Sequence, residues 1–125
     1  MVQLTNDSVA SVRDWATFGL GTLVDVDTRL IRRALWARMK DGDETVRGEA
    51  LVGLARRKDR RIRTYIIKDL VRTDAGTLIF EAAEEYGDPT LLPYLETHLK
   101  VSRKQEGVDQ IWLWHLKRSI KALKR

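Results

Sequence analysis

Acidic side chains come nearest to a catalytic pattern in this sequence. Glu81, Glu84 and Glu85 lie three and four residues apart, so on a helix they share a face, and Glu49 lies on an earlier segment. Carboxylates placed in this way can act as general acid and base. Because no nucleophile with a nearby base and no glycine-rich phosphate loop accompanies them, we predict no catalytic residues.

Residues that could bind a metal or carry redox chemistry are few. The chain has no cysteine, which excludes disulfides and thiolate metal sites and is typical of a reducing compartment. His98 and His115 are seventeen residues apart, without neighbours at ligand spacing. We therefore predict neither a metal site nor a cofactor.

The positive charge of the chain is concentrated in two places. Residues 1–99 hold 15 Lys and Arg against 16 Asp and Glu, whereas residues 100–125 hold 8 against 2. Within the balanced part, residues 56–63 form a basic cluster with six positive charges and one negative. Such clusters raise the local electrostatic potential and can attract an acidic partner.

The elements that position these residues are predicted to be helices. Apolar residues recur at helical spacing between turn signals, and only Pro89 and Pro93 occur as prolines. The length and 43% apolar content fit one domain, residues 1–125. We expect seven short helices near residues 8–21, 27–40, 43–57, 59–72, 75–87, 89–99 and 107–123. No apolar run is long enough to cross a bilayer and no signal peptide is recognisable, which favours a cytoplasmic protein.

A repeat organises the helices. Val12, Arg13, Ala16, Gly19 and Leu20 recur thirty-four residues later as Val46, Arg47, Ala50, Gly53 and Leu54, each set after a short acidic turn. A weaker third copy aligns Ala82 with Ala50. A fixed period of this length is typical of stacked supersecondary units.

This Val-Arg-x-x-Ala-x-x-x-Leu pattern after an Asp-rich turn resembles the HEAT-repeat family of α-solenoids. The resemblance covers roughly residues 7–95 and implies an α-α superhelix of the HEAT or armadillo type. It also implies that the Val-Arg helices line an inner, concave face. Helix 8–21 would then lack an outer partner, unless something else covers that edge, near Trp15 and Phe18.

The same resemblance gives the arginines two interpretations. Arg13 and Arg47 occupy the family's arginine position, where they form an inter-repeat ladder with turn acids such as Asp7, Asp41 and Asp43. The alternative is that the two arginines are presented on the concave face to a phosphate or carboxylate.

Two further surfaces are candidates for partner binding. The basic cluster is either a solvated turn or a binding site, with Arg56, Arg57, Arg60 and Arg61 as its contact residues. In the last helix, Trp114 falls outside the apolar stripe among Lys117 and Arg118. That helix is either a terminal cap with Trp112 packed inward, or a basic aromatic binding surface.

These observations favour a non-enzymatic scaffold that binds a protein partner on its concave face. The alternative is a nucleic-acid-binding module that uses residues 56–63 and the basic C-terminal helix. The partner-binding residues predicted for the scaffold are Arg13, Trp15, Arg47, Arg56, Arg57, Arg60, Arg61, Trp114, Lys117 and Arg118. Alkylpurine DNA glycosylases and bilin lyases have HEAT-like folds, so an enzyme rests on fold analogy alone, with Asp14 beside Trp15 as its only testable pair.

Overall fold

The computed structural model describes every residue of the chain, 1–125, and is entirely helical, without a β-strand. This confirms the predicted all-α class and the seven helices. The α-helices are α1 (Ala10–Phe18), α2 (Arg29–Arg38), α3 (Glu44–Arg56), α4 (Ile62–Leu70), α5 (Thr77–Tyr86), α6 (Leu92–Ser102) and α7 (Gln110–Leu123). Two 3-10 helices, Val2–Asn6 and Pro89–Leu91, and a π-helix, Gly19–Leu23, complete the fold.

Short polar side chains determine where several helices begin. Thr28, Asp43 and Asp109 each accept a hydrogen bond from a backbone N–H in the first turn of α2, α3 and α7. The helix expected from residue 59 begins at Ile62. The Asp59 side chain accepts the Arg61 backbone N–H, as a capping residue does, but residues 60 and 61 form a turn ahead of the α-helix. The helix expected at 8–21 continues beyond α1 as the π-helix, which widens the last turns around Gly19 and Gly21.

The helices pack in two layers. In one layer α1, α3, α5 and α7 lie side by side, in that order. On the other side, α2, α4 and α6 each pack against the odd-numbered helix that follows it in sequence. The N-terminal 3-10 helix packs against α1 and α2 and so takes the equivalent position before α1. Of the two possibilities for helix 8–21, the structure shows the second: another element, a five-residue helix, covers the edge where an outer partner would lie.

The core lies between the layers and is densest around α3. Val46, Ala50 and Leu54 are fully buried there, as is Phe80 of α5. Where α3 passes the π-helix, the backbones nearly touch: a Cβ on Gly53 would lie 2.7 Å from the Gly21 Cα. Glycine at both positions is what allows this approach.

None of the helices combines the length and the apolar composition needed to cross a bilayer.

Candidate partner-binding surface

The repeat arginines are engaged within the fold. Arg13 donates to both carboxylate oxygens of Asp41, at 2.8 and 3.0 Å, and also to the Asp7 carbonyl at 3.0 Å. Arg38 donates to the same carboxylate, and Arg47 donates to the Asp41 backbone carbonyl at 2.8 Å. The bond from Arg13 to Asp41 is the predicted inter-repeat contact, whereas Arg47 bonds only a backbone carbonyl of the turn before its own helix. The Arg13 bond lowers the pKa of the Asp41 carboxyl.

Arg57 is not a surface residue. Its side chain is 5% exposed, and its guanidinium donates to five backbone carbonyls. The acceptors belong to Leu20, Gly21, Val24, Val26 and Gly53. The prediction that Arg57 contacts a partner is therefore wrong, because its donors hold the π-helix and the following segment against α3.

Most other side chains of the basic cluster also form hydrogen bonds or ion pairs within the fold. Arg56 donates to the Thr22 carbonyl and to Asp25, and Lys58 donates to the carbonyls of Glu85 and Tyr86 at the end of α5. Arg63 pairs with Asp88 at 3.0 Å. Arg61 is paired with Asp59, and Arg60 alone is exposed without a partner. Most of the cluster therefore fastens neighbouring elements, and this weakens its interpretation as an open binding site.

Carboxylates from successive helices of the odd-numbered layer come together on one face. Asp14 of α1, Glu49 of α3, and Glu81, Glu84 and Glu85 of α5 form what we call the acidic face. Burial, followed by the charges of Asp14 and Glu81, raises the pKa of Glu49 to about 7. Burial also raises the pKa of Asp14 and of Glu81. The acidic face therefore contains desolvated acids from three helices that repel one another.

Cations offset only one end of the acidic face. Glu84 is 3.3 Å from Arg118 of α7, and these two residues line a small polar cleft of about 110 Å³ with His115. Asp14 and Glu49 have no cation within ion-pair distance. One carboxylate oxygen of Asp14 is buried without any hydrogen-bond partner, so positive charge is lacking at the α1 and α3 end of the face.

Trp15 belongs to the same face by its place in the repeat. The thirty-four-residue register aligns Trp15 with Glu49, and the third copy places Glu81 there as well. Trp15 is 68% exposed, although the N-terminal 3-10 helix covers other parts of α1. A large aromatic side chain exposed beside half-buried acids is typical of a contact surface.

The tryptophans of α7 are divided as the terminal-cap interpretation predicts. Trp112 packs inward at 5.3 Å from the Phe80 ring and donates its indole N–H to the Ala75 carbonyl at 2.8 Å. Trp114 is 55% exposed and lies under the Arg118 guanidinium, 5.3 Å from it. Lys117 is exposed on the same helix, and Trp114, Lys117 and Arg118 thus remain at the surface.

The histidines occupy different environments. His98 bonds the Leu70 carbonyl and packs edge-on against Phe80, so its role in the fold is structural. His115 lies next to Trp114 in the small cleft at the end of the acidic face. No group of three or more acidic or histidine side chains converges as metal ligands would.

Glu49 and Glu81 were candidates in the sequence only as a general acid and base. Spacing within one helix does not reveal their proximity, because it arises between neighbouring helices. The repeat register contained the missing signal, because it places Trp15, Glu49 and Glu81 at one helix position.

Comparison with known proteins gives a clear relative. No family model matches the chain. It resembles part of YibA. Protein YibA of Escherichia coli K12 is 37% identical over 99 residues, which cover 79% of this chain and 35% of YibA, and YibA of strain O157:H7 gives the same values.

The X-ray structure of E. coli YibA shares the fold. It superposes with a TM-score of 0.77 at 33% identity, over 99% of this chain and 42% of YibA. The chain therefore spans about a third of the length of the curated relatives it matches. The arrangement of helices described above also occurs within a longer bacterial protein.

Proposed function

We propose that this chain is a HEAT-like α-solenoid that binds a protein partner in the cytoplasm and carries out no catalysis itself. The paired helices and the inter-repeat bond from Arg13 to Asp41 support the solenoid. The odd-numbered helices would line its concave side. The partner would bind on the acidic face, with Trp15 as an apolar anchor.

The observation that carries this proposal is the set of unpaired, half-buried carboxylates at Asp14 and Glu49. A desolvated acid without a cation destabilises the free protein, and a Lys or Arg from a partner would remove that cost on binding. The raised pKa of Glu49 is the signature of this missing charge. We therefore expect the partner to present a basic segment.

Binding to a short Lys-rich peptide and capture from native lysate together test the proposal. Wild type is compared with a Glu49→Gln, Glu81→Gln variant and with a Trp15→Ala variant. Glu96→Gln is the matched control, because Glu96 is exposed on α6 in the other layer. We expect the first two variants to bind the peptide at least tenfold more weakly and to lose the same captured proteins, whereas the control retains both.

Two results would contradict the proposal. One is capture of the same proteins by wild type and by all variants. The other is equal affinity of wild type for the Lys-rich peptide and for a Glu-rich peptide of the same length. Either would show that the acidic face does not select the partner.

A non-enzymatic role is consistent with the geometry at Asp14. The Asp14 side chain is half-buried, whereas most of the neighbouring Trp15 is exposed to solvent. Adjacent residues on a helix point about 100° apart, so these two do not form one pocket for a flipped base. We propose no glycosylase or lyase activity.

Nucleic-acid binding is the second candidate, and exposed cations on α7 favour it. Lys117, Lys121 and Lys124 are exposed there beside Trp114 and form no ion pair. If they contact phosphates, affinity for a fluorescent duplex falls steeply with rising salt and falls further in a Lys117→Gln, Lys121→Gln variant. Absence of binding at low salt would eliminate this candidate.

A further inference from the structure

A second charged surface lies on the other layer of the molecule, around the first two turns of α2. An open cleft of about 480 Å³ is lined there by Arg29, Arg32, Arg33, Trp36 and Arg61, with Asp27 at its edge. The four α2 residues follow one helical stripe, at steps of three and four. The cleft shares no residue with the acidic face.

Part of the cleft is held rigidly. The Arg61 guanidinium lies 4.6 Å from the centre of the Trp36 ring and donates to both oxygens of Asp59. Asp59 is 3% exposed and also accepts from the Trp36 indole N–H at 3.2 Å. One Arg61 nitrogen, Nη1, has no acceptor within the protein. It is thus oriented in advance, at little entropic cost to a ligand.

The two carboxylates at the cleft accept hydrogen bonds from arginine nitrogens other than Nη1 of Arg61. Asp27 accepts from Arg32 at 2.7 and 2.8 Å, and Asp59 accepts from Arg32 and Arg61. Arg29 and Arg33 are exposed and make no hydrogen bond or ion pair. Four guanidinium groups therefore face two carboxylates, and the excess positive charge is carried by side chains with free donors.

We propose that this cleft is an anion site that binds the phosphate group of a ligand through Arg29, Arg33 and the free nitrogen of Arg61. Guanidinium groups match phosphate because they donate paired N–H groups to its oxygens in one plane. The volume is within the range of small-ligand sites and admits a phosphate with an attached organic group. The start of α2 adds a favourable helix dipole. The site is independent of the protein partner proposed above.

The test uses inorganic phosphate and pyrophosphate as probes and the indole N–H signal of Trp36 as the readout. The chain has four tryptophans, so its indole region in a ¹H–¹⁵N spectrum is simple, and Trp36→Phe assigns the signal. We expect a saturable shift of the Trp36 signal that sodium chloride at equal ionic strength does not cause. The Trp114 signal, on α7, should not move.

Two matched double variants distinguish binding by the cleft arginines from an effect of the net charge of the protein. Arg29→Gln with Arg33→Gln removes the two free cations, and Arg103→Gln with Arg125→Gln removes equal charge from exposed positions elsewhere. We expect the first pair to weaken pyrophosphate binding at least tenfold and the second pair to change it less than twofold. Because none of these side chains makes an ion pair, both variants should unfold at the wild-type temperature.

A short single-stranded oligonucleotide distinguishes the two sources of phosphate. A shift of the same Trp36 signal, lost in the Arg29, Arg33 variant, would assign the site to a nucleic-acid backbone, whereas its absence would assign the site to a small phosphorylated molecule. A Trp36 shift that is linear in ionic strength, equal with chloride, or equal in both double variants would overturn the proposal.

Discussion

Among the acids whose pKa is raised, Glu49 departs furthest from an ordinary surface acid. Its pKa is raised to about 7 by burial and by the charges of Asp14 and Glu81. A glutamate in an unfolded chain titrates near ~4.3. The folded state therefore binds this proton more tightly than the unfolded state does. The resulting stabilisation is fully present below about pH 4 and is lost as the pH rises to about 7.

Glu49→Gln should remove this pH dependence, because an amide does not ionise. We expect the variant to gain about 1–2 kcal/mol in unfolding free energy relative to wild type between about pH 4 and about pH 8, after allowance for partial exposure. Urea unfolding at several pH values measures the difference. Glu96→Gln, on the exposed surface of α6, serves as the control and should show no comparable trend.

A carboxyl titration by ¹³C NMR checks the cause directly. If Glu49 titrates near ~4.3 in the folded protein, the burial argument and the pH trend fail together. Asp14 and Glu81 also have raised pKa values, so their neutral variants should shift stability in the same direction.

Among single residues, a contact could be predicted from the sequence where two side chains of complementary charge form it. The bond from Arg13 to Asp41 was predictable, because a repeat arginine and a turn acid recur together. The burial of Arg57 was not predictable. Its five acceptors are main-chain carbonyls of residues 20–26 and 53. Every residue has such a carbonyl, so the amino-acid sequence does not indicate which ones an arginine will bind.

At the scale of elements, Arg57 connects α3 to a segment that packs little apolar surface of its own. The π-helix and residues 24–26 present several carbonyls without helical partners, and one guanidinium satisfies four of them. A lysine at this position could not reach as many acceptors, because it has a single nitrogen.

We therefore predict that Arg57→Lys lowers the unfolding free energy by about 2–3 kcal/mol, since it leaves buried carbonyls unpaired. Arg60→Lys is the matched control, because Arg60 is exposed without a partner, and its effect should stay within about 0.5 kcal/mol. Chemical denaturation of both variants provides the comparison. Equal stabilities would mean that Arg57 does not hold the segment.

Element boundaries were predictable where a capping side chain marks them. Thr28 and Asp43 begin α2 and α3 as the sequence indicated. The N-terminal 3-10 helix escaped prediction, since five residues are too few to show a hydrophobic period. The other missed element, the π-helix, depends on the close approach of Gly21 to Gly53, which is a tertiary contact.

At the scale of the whole molecule, α3 and α5 are the helices with the most extensive packing against neighbouring helices. Each has odd-layer neighbours on both sides and packs against even-numbered helices as well. The helical spacing of apolar residues was enough to predict the all-helical class. The acidic face, however, depends on which side of each helix the neighbouring repeat covers, and the sequence alone left that open.

Native-state hydrogen exchange should follow this arrangement. Amides of α3 and α5 are expected to exchange most slowly, with opening free energies close to that of global unfolding, because neighbouring helices of the same layer pack against both sides of each. The N-terminal 3-10 helix and the last turn of α7 should exchange fastest. Mass spectrometry after deuterium labelling resolves these segments. Uniform protection along the chain would contradict the expected gradient.

The position of Asp41 determines how this architecture can be divided. Its carboxylate, 3% exposed, is shared by Arg13 of α1, by Arg38 of α2 and by the backbone N–H of Asp43 ahead of α3. A helix pair is therefore not an independent structural unit. Transplanting α2 and α3 without α1 would leave Asp41 without Arg13, its bidentate partner. A designed array based on this chain should keep such a turn acid in the same module as the arginines that bind it, with no module boundary between them.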